Sequence, residues 1–552
     1  MIMEQKSCQN CKANFSIESD DLAFYELMQV PSPTLCPECR LQRRLAVRND
    51  RSLYKIDCPV CKKSSFSIIP QGDPYTVYCL DCWNADTWDP TVYGREYDFT
   101  KPFFTQYADL LRAVPTRARF ALPGTLTNSE YTNLVSYLKN CYLLFNSDYN
   151  EYCSYGTEIE NSKDCVDNIM LDTCETCYRC VNLQKCYRAF YSMDCESSSD
   201  IWFSKNLSGC LNCFGCINLR NKSYYIFNEP YTKETYAEKI KTLGDFSFAQ
   251  AQEFWLKHPV KYIHGRQNLN VSGDYINNCK DVRKTYIATG AQNCKYAMWI
   301  LVKPAKDCWD YTEYGNASEK CYETVTIGDG ASNIKFCHLV LRNTSDVEYS
   351  SSCFGLKNCF GCVGLKNKQY CILNKQYSPE EYEKLKCLVI QHMKNNRTYG
   401  EFFPIEISQF AYNETNAQEY FPLTKEQVLA KGYRWKDFEE KNYQPTKKWN
   451  EEYGLGDIVL CQYWDEDAKK AQEHKCTKAF KVTQYELDFY QRFNLPLPRK
   501  CPNSRYYDLS KLRNGIKLYD RSCAKCGKGL STSYSPDRPE VVYCEQCYQH
   551  LF

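Results

Sequence analysis

Twelve cysteines of the chain fall into Cys-x2-Cys pairs at its two ends: Cys8 and Cys11, Cys36 and Cys39, Cys58 and Cys61, Cys79 and Cys82, then Cys523 and Cys526, Cys544 and Cys547. A turn of this spacing aims two thiolates at one ion, and two turns complete a tetrahedral S4 site suited to zinc. The pairs therefore predict three sites in which the protein supplies every ligand. A closed thiolate site is structural, because it leaves no position for substrate. Iron shares the geometry, and zinc is the default. A fourth set survives in part. The N-terminal frame recurs 465 residues later as Glu473, Cys476, Cys501 and Ser504. Two cysteines remain there, and His474 or Cys461 could replace a lost ligand. The competing reading is a module that has lost its ion and is held by packing, since serine is a poor zinc ligand.

Modules this small cannot bury enough apolar surface to fold alone, so metal must supply the missing stability, on the order of 10 kcal/mol per structural site. The duplication extends beyond the ligands. Leu22, Phe24, Tyr25, Pro31, Pro33 and Pro37 match Leu487, Phe489, Tyr490, Pro496, Pro498 and Pro502 at the same offset, without a gap. Such agreement marks an internal repeat. The stretch from Cys8 through Phe15, Leu22, Phe24 and Tyr25 to Cys39 resembles zinc-ribbon (treble-clef) domain proteins. That resemblance implies one zinc on Cys8, Cys11, Cys36 and Cys39, and no activity.

Each first ribbon is followed by a basic run. Residues 40–55 and residues 499–521 each carry a balance of +5. A treble clef leaves its second knuckle as a helix. Arg40, Arg43, Arg44 and Arg48 would then share one face while Leu41 and Leu45 pack inward. With Arg505, Lys511 and Arg513 at the other end, these residues are candidates for gripping nucleic-acid phosphates. The alternative is a solvated face that pairs with nearby acids such as Glu38.

The middle of the chain holds a second duplication. Asn212–Tyr224 matches Asn358–Tyr370 at an offset of 146, and the match continues through Ile226 and Asn228 to Ile372 and Asn374. Upstream of each copy, cysteine-bearing units recur at 9 to 12 residues, and then at 13 to 16 in the second half. Several hold short β-forming runs, as at Tyr142–Phe145, Tyr296–Val302 and His338–Leu341. The expected fold is mainly β with short helices: two terminal zinc-ribbon pairs flanking two cysteine-rich β-solenoid-like repeats, with two units per turn. The inner cysteines are expected to pack as small hydrophobes. Cys174, Cys177 and Cys180, with Cys210, Cys213 and Cys216, have partial iron–sulfur spacing. Leu356, however, stands in the second copy where Cys210 stands in the first. Capping residues Ser247, Ser378 and Thr424 predict helices that cover open edges.

These features divide the chain into ribbons at 1–55 and 56–95, a helical linker at 96–139, repeats with helical caps at 140–265 and 266–400, a linker at 401–460, a degenerate ribbon at 461–518 and a last ribbon at 519–552. The whole resembles uncharacterised cysteine-rich, multi-zinc-ribbon proteins of uncultivated bacteria. Some of these carry a CoA-transferase (CaiB/BaiF) label that no motif here supports. The six histidines form no catalytic metal pattern. The excess of acids over residues 141–228 could host paired carboxylates, but reads more simply as solvation. The expectation is a non-enzymatic, cytoplasmic, zinc-binding protein, free of membrane segments. It would contact RNA or the ribosome through its basic helices, or serve as a protein scaffold through a tyrosine-rich surface.

Overall fold

Every third residue from Leu134 to Phe227 has a left-handed backbone, and this sets the architecture of the first half. In the computed structural model, which describes residues 2–72, 74–244, 246–300, 304–313, 316–437 and 444–552, parallel strands pair across that segment at a constant separation. Tyr142 pairs with Ser154, Ile169 with Val181 and Ser199 with Leu211, a step of twelve residues each time. Each step therefore contains four triplets of one inward residue, one outward residue and one corner.

The chemistry of each triplet position follows from its surroundings. Inward positions such as Cys177, Cys180, Leu183, Cys186, Ala189 and Ser192 are all buried, and the narrow interior keeps them small. Corner positions need positive φ, which costs β-branched residues most. Of the β-branched residues only Thr173 and Thr176 occupy one between 134 and 227, and neither valine nor isoleucine does. Asn and Asp tolerate the corner and also bond along the stack: Asn182 donates to Asp194 at 2.8 Å and Asn206 to Asn218 at 2.7 Å. Interior polar groups are satisfied as well. Asn168 donates to two carbonyls at 2.9 and 3.0 Å and accepts from the Cys180 N–H at 2.8 Å. The Cys165 thiol donates to the Lys163 carbonyl at 3.2 Å.

The second half repeats the plan less regularly. Among the described residues its sheet has fourteen strands, running from Gly265–Arg266 to Lys375–Gln376. Cys294 pairs with Cys308, Cys308 with Cys321 and Cys359 with Cys371, steps of fourteen, thirteen and twelve residues. The uneven cysteine spacing of the sequence has a simple origin: cysteine can fill any inward position of a triplet. The expected arrangement of two units per turn gives way to one step of eleven to fourteen. Part of the expected run Tyr296–Val302 is the strand Met298–Ile300; Leu301 and Val302 lie outside the described residues.

The duplicated asparagines close the last step of each stack. Asn228 accepts from the Ile217 N–H and donates to its carbonyl, at 2.9 and 3.0 Å. Asn374 does the same to Val363, both at 2.8 Å. A short antiparallel strand follows in each copy, and then helices: Lys233–Thr242 and Phe248–Trp255 after the first, Pro379–Asn395 after the second. Backbone edges that would otherwise invite another chain are thereby covered. Among the described residues, no helix is long and apolar enough to cross a membrane.

Candidate metal centres and the arginine clasps

Each cysteine quartet sits between a hairpin and a helix. The hairpins pair Ile2–Ser7 with Asn14–Glu18, Tyr54–Asp57 with Ser64–Ser67, and Tyr519–Ser522 with Gly529–Thr532. The helices Pro37–Leu45, Leu80–Asn84 and Glu545–Gln549 start directly after Cys36, Cys79 and Cys544. This order brings Cys8, Cys11, Cys36 and Cys39 together, likewise Cys58, Cys61, Cys79 and Cys82, and likewise Cys523, Cys526, Cys544 and Cys547, with all sulfurs of a group within 4.8 Å of one another. Cross-knuckle sulfur pairs lie 3.6, 3.7 and 3.8 Å apart. A tetrahedron with metal–sulfur bonds of about 2.3 Å has edges of about 3.8 Å, so the groups fit an ion at their centre.

The backbone is also poised for thiolates. Cys8, Cys58 and Cys523 accept the N–H of Cys36, Cys79 and Cys544 at 3.3, 3.4 and 3.3 Å. Burial opposes ionisation at these three sulfurs, yet the backbone donors bring each thiol down to about 6.

Of the two candidate substitutes in the degenerate set, His474 and Cys461, the structure brings in Cys461. Cys461, Cys476 and Cys501 converge, and all three are buried. His474 is not among them. Its Nε2 lies 2.9 Å from Lys511 Nζ, whereas its buried Nδ1 has no hydrogen-bond partner and stands 3.9 Å from an Asp508 oxygen. A separate acidic trio, Glu18, Asp20 and Asp21, gathers around Lys295 Nζ at 3.0, 2.6 and 3.2 Å.

The sequence expectation places Arg40, Arg44, Arg48, Arg505 and Arg513 on open basic faces; the structure corrects this, because all five are buried. Arg40 bonds Asp310 at 2.9 Å and Arg44 bonds the same carboxylate at 3.0 Å, with Glu323 at 3.4 Å. Arg48 pairs with Glu313 and, at 2.9 Å, with Asp50. Arg43, on the rim, reaches Glu401 at 2.8 Å. At the other end Arg505 bonds Asp167 at 2.7 Å and Glu486 at 2.8 Å, and Arg513 bonds Glu158 at 3.1 Å. Of the seven candidates only Lys511 is exposed, its side chain 57% accessible.

These pairs fasten the termini crosswise: Arg40, Arg44 and Arg48 near the N-terminus grip the second stack, and Arg505 and Arg513 near the C-terminus grip the first. The acids that the stacks contribute are Glu158, Asp167, Asp310, Glu313 and Glu323, and every one stands at a left-handed corner. A corner projects its side chain outward, which lets a helix laid along the stack meet several acids. Burial would lower the Arg40 and Arg505 pKa values, but Asp310 and Asp167 hold them well above the usual arginine range. Burial pushes Glu323 up to about 7 against the pull of Arg43.

A polar cleft of about 320 Å³ lies where the first stack, the start of the second and the last ribbon meet. His264 on its wall has Nδ1 3.0 Å from Asp274 and Nε2 3.1 Å from the Tyr534 hydroxyl. Asp194 stands 3.6 Å from Nε2. Burial works against the charged ring, but Asp274 and Asp194 raise its pKa above 6.5. Asp274 is lowered below 3.8: burial opposes this, and His264 overcomes it. Stability from His264 is thus complete below 6.5 and lost as pH rises through its higher folded value; stability from Asp274 is complete above 3.8 and lost as pH falls through its lower one. Thermal melts across the alkaline limb should show the wild type losing more Tm with rising pH than His264→Gln does. Parallel curves would remove the histidine from this role.

No protein-family model matches the chain, and no curated protein matches it. Among solved structures, one from Desulfovibrio desulfuricans G20 described as a "putative acetyltransferase" is similar at 9% identity, with a TM-score of 0.11. The match covers 40% of this chain and 65% of that one, under two thirds of its length, and a likeness this slight carries no argument.

Proposed function

We propose that the protein is a non-enzymatic scaffold, stabilised by zinc, in which treble-clef ribbons clamp two β-solenoids and leave the outer solenoid faces for contact with other proteins. The observation that carries this reading is the burial of the arginines. Six of the seven basic candidates spend their charge on corner acids within the chain, Arg43 through Glu323 at 3.6 Å, which favours internal fastening over phosphate binding. The constant step of parallel pairing supports the solenoid, and the order of hairpin, knuckle and helix supports the treble clef. On the outer face Tyr137 and Tyr149 stack at 4.6 Å and both stay exposed, as does Tyr187. Aromatic surface of this kind suits protein contacts. His264 has both ring nitrogens committed, which favours an ion-pair hub over a general base. Thirty-six free thiols fit a reducing compartment.

The test is a titration of the purified full-length protein with single-stranded and duplex RNA at low and at physiological salt. The scaffold reading expects bound zinc and no RNA binding at either salt. RNA binding that weakens steeply as salt rises would overturn it, because only surface cations produce that slope.

A further inference from the structure

We infer that Cys461, Cys476, Cys501 and Ser504 form a fourth metal centre with three sulfur ligands and one oxygen, in which Cys461 replaces the ligand lost at position 473. The inference rests on the zinc reading of the three quartets and extends it to a donor set that the repeat frame does not contain.

The geometry matches the first quartet role by role. The Cys501 N–H donates to Cys461 Sγ at 3.3 Å, as the Cys36 N–H does to Cys8 Sγ at 3.3 Å. Cys476 and Cys501 place their sulfurs 3.6 Å apart, and so do Cys11 and Cys36. Cys461 follows the short strand Val459–Leu460 just as Cys8 follows Ile2–Ser7. The Cys461 N–H bonds the Lys478 carbonyl and the Cys8 N–H bonds the Ala13 carbonyl, both at 2.9 Å. What separates the two knuckles is an insertion. Gln462–Glu466 and Ala468–Glu473 form two short helices between the first and second ligands, so fifteen positions now span what three span at Cys8 and Cys11. Strand pairing brings the displaced cysteine back to the same place.

Ser504 stands at the register position of Cys39. Its Oγ lies 3.3 Å from Cys501 Sγ and 3.8 Å from Cys461 Sγ, which completes the fourth corner. All four residues are buried, whereas the quartets leave Cys11 and Cys526 exposed. A sealed pocket of three thiols and one hydroxyl, spaced as tetrahedron edges, suits an ion better than it suits apolar packing. The hydroxyl is the weakest donor, so this centre should surrender its ion first when a chelator reaches it.

The test counts zinc per chain in the reduced full-length protein by elemental analysis. The wild type should hold four ions, Cys461→Ala three, and Ser504→Cys four, with the last ion leaving to chelator more slowly than in the wild type. Three ions in the wild type and a fourth only in Ser504→Cys would overturn the centre while leaving the quartets standing. No zinc at all would overturn the reading on which it rests. If Cys461→Ala does not accumulate as folded protein, the wild-type count and Ser504→Cys still decide.

Discussion

Replacing Arg44 by alanine should cost about 3–5 kcal/mol, the usual penalty for stripping one partner from a buried ion pair. Arg44 is fully buried, and its guanidinium serves Asp310, Glu323 and the Tyr296 carbonyl, the last at 3.1 Å. Its loss leaves two buried carboxylates dependent on Arg40 and Arg43 alone. Glu323 is already pushed up to about 7 by burial and would take up a proton more readily still. Lysine should not rescue the site, because one ammonium cannot span Asp310 and Glu323 as a planar fork does. Lys511→Ala is the control; its exposed side chain should be worth less than about 0.5 kcal/mol. Hydrogen exchange of the amides in Pro37–Leu45 reads the cost locally, which matters in a chain too large for one two-state transition. An Arg44→Ala protein whose helix opens no more easily than the wild type would contradict the clasp.

Removing metal should have a larger effect. Each quartet would lose a contribution on the order of 10 kcal/mol, more than a small hairpin and one turn of helix can replace. The helix Pro37–Leu45 begins on Cys36 and carries Cys39 in its first turn, so two thiols of the quartet and the arginines share one rigid element. Chelation should therefore melt the ribbons and release Asp310 and Glu323 together, while the stacks keep their parallel pairing. The coupling can be measured. Cys36→Ala and Arg44→Ala should cost less together than the sum of their separate effects, because the first already frees the helix that holds the second. Additive losses would mean that metal and clasp act independently.

The spacing of the twelve terminal cysteines was sufficient to group them, because a Cys-x2-Cys turn is a local geometry that needs no distant partner. Helix starts were equally local: Ser378 caps Pro379–Asn395 through the Glu381 N–H at 3.3 Å. The fate of the arginines was not legible. A charge count over residues 40–55 cannot see Asp310, Glu313 and Glu323, which lie more than 250 positions away and meet the helix only after the stack has formed. The triplet rule was hidden for another reason. Cys, Ser, Leu, Ala and Asn all serve at inward positions, so a search for recurring cysteine finds uneven intervals where the backbone is regular. The corner positions held the missing signal, a run of Asn and Asp at every third residue, as at Asn161, Asp164 and Asp167. Cys461 escaped the frame because two inserted helices separate it from Cys476.

The central claim is that the terminal thiols surround ions. Anomalous scattering from crystals of the full chain, recorded on either side of the zinc absorption edge, tests it most directly. The account predicts a strong peak at the middle of each of the three quartets, and a further peak beside Cys461, Cys476 and Cys501. Density that joins Cys11 to Cys36 or Cys61 to Cys79 as sulfur–sulfur bonds, with no anomalous peak between the knuckles, would contradict it.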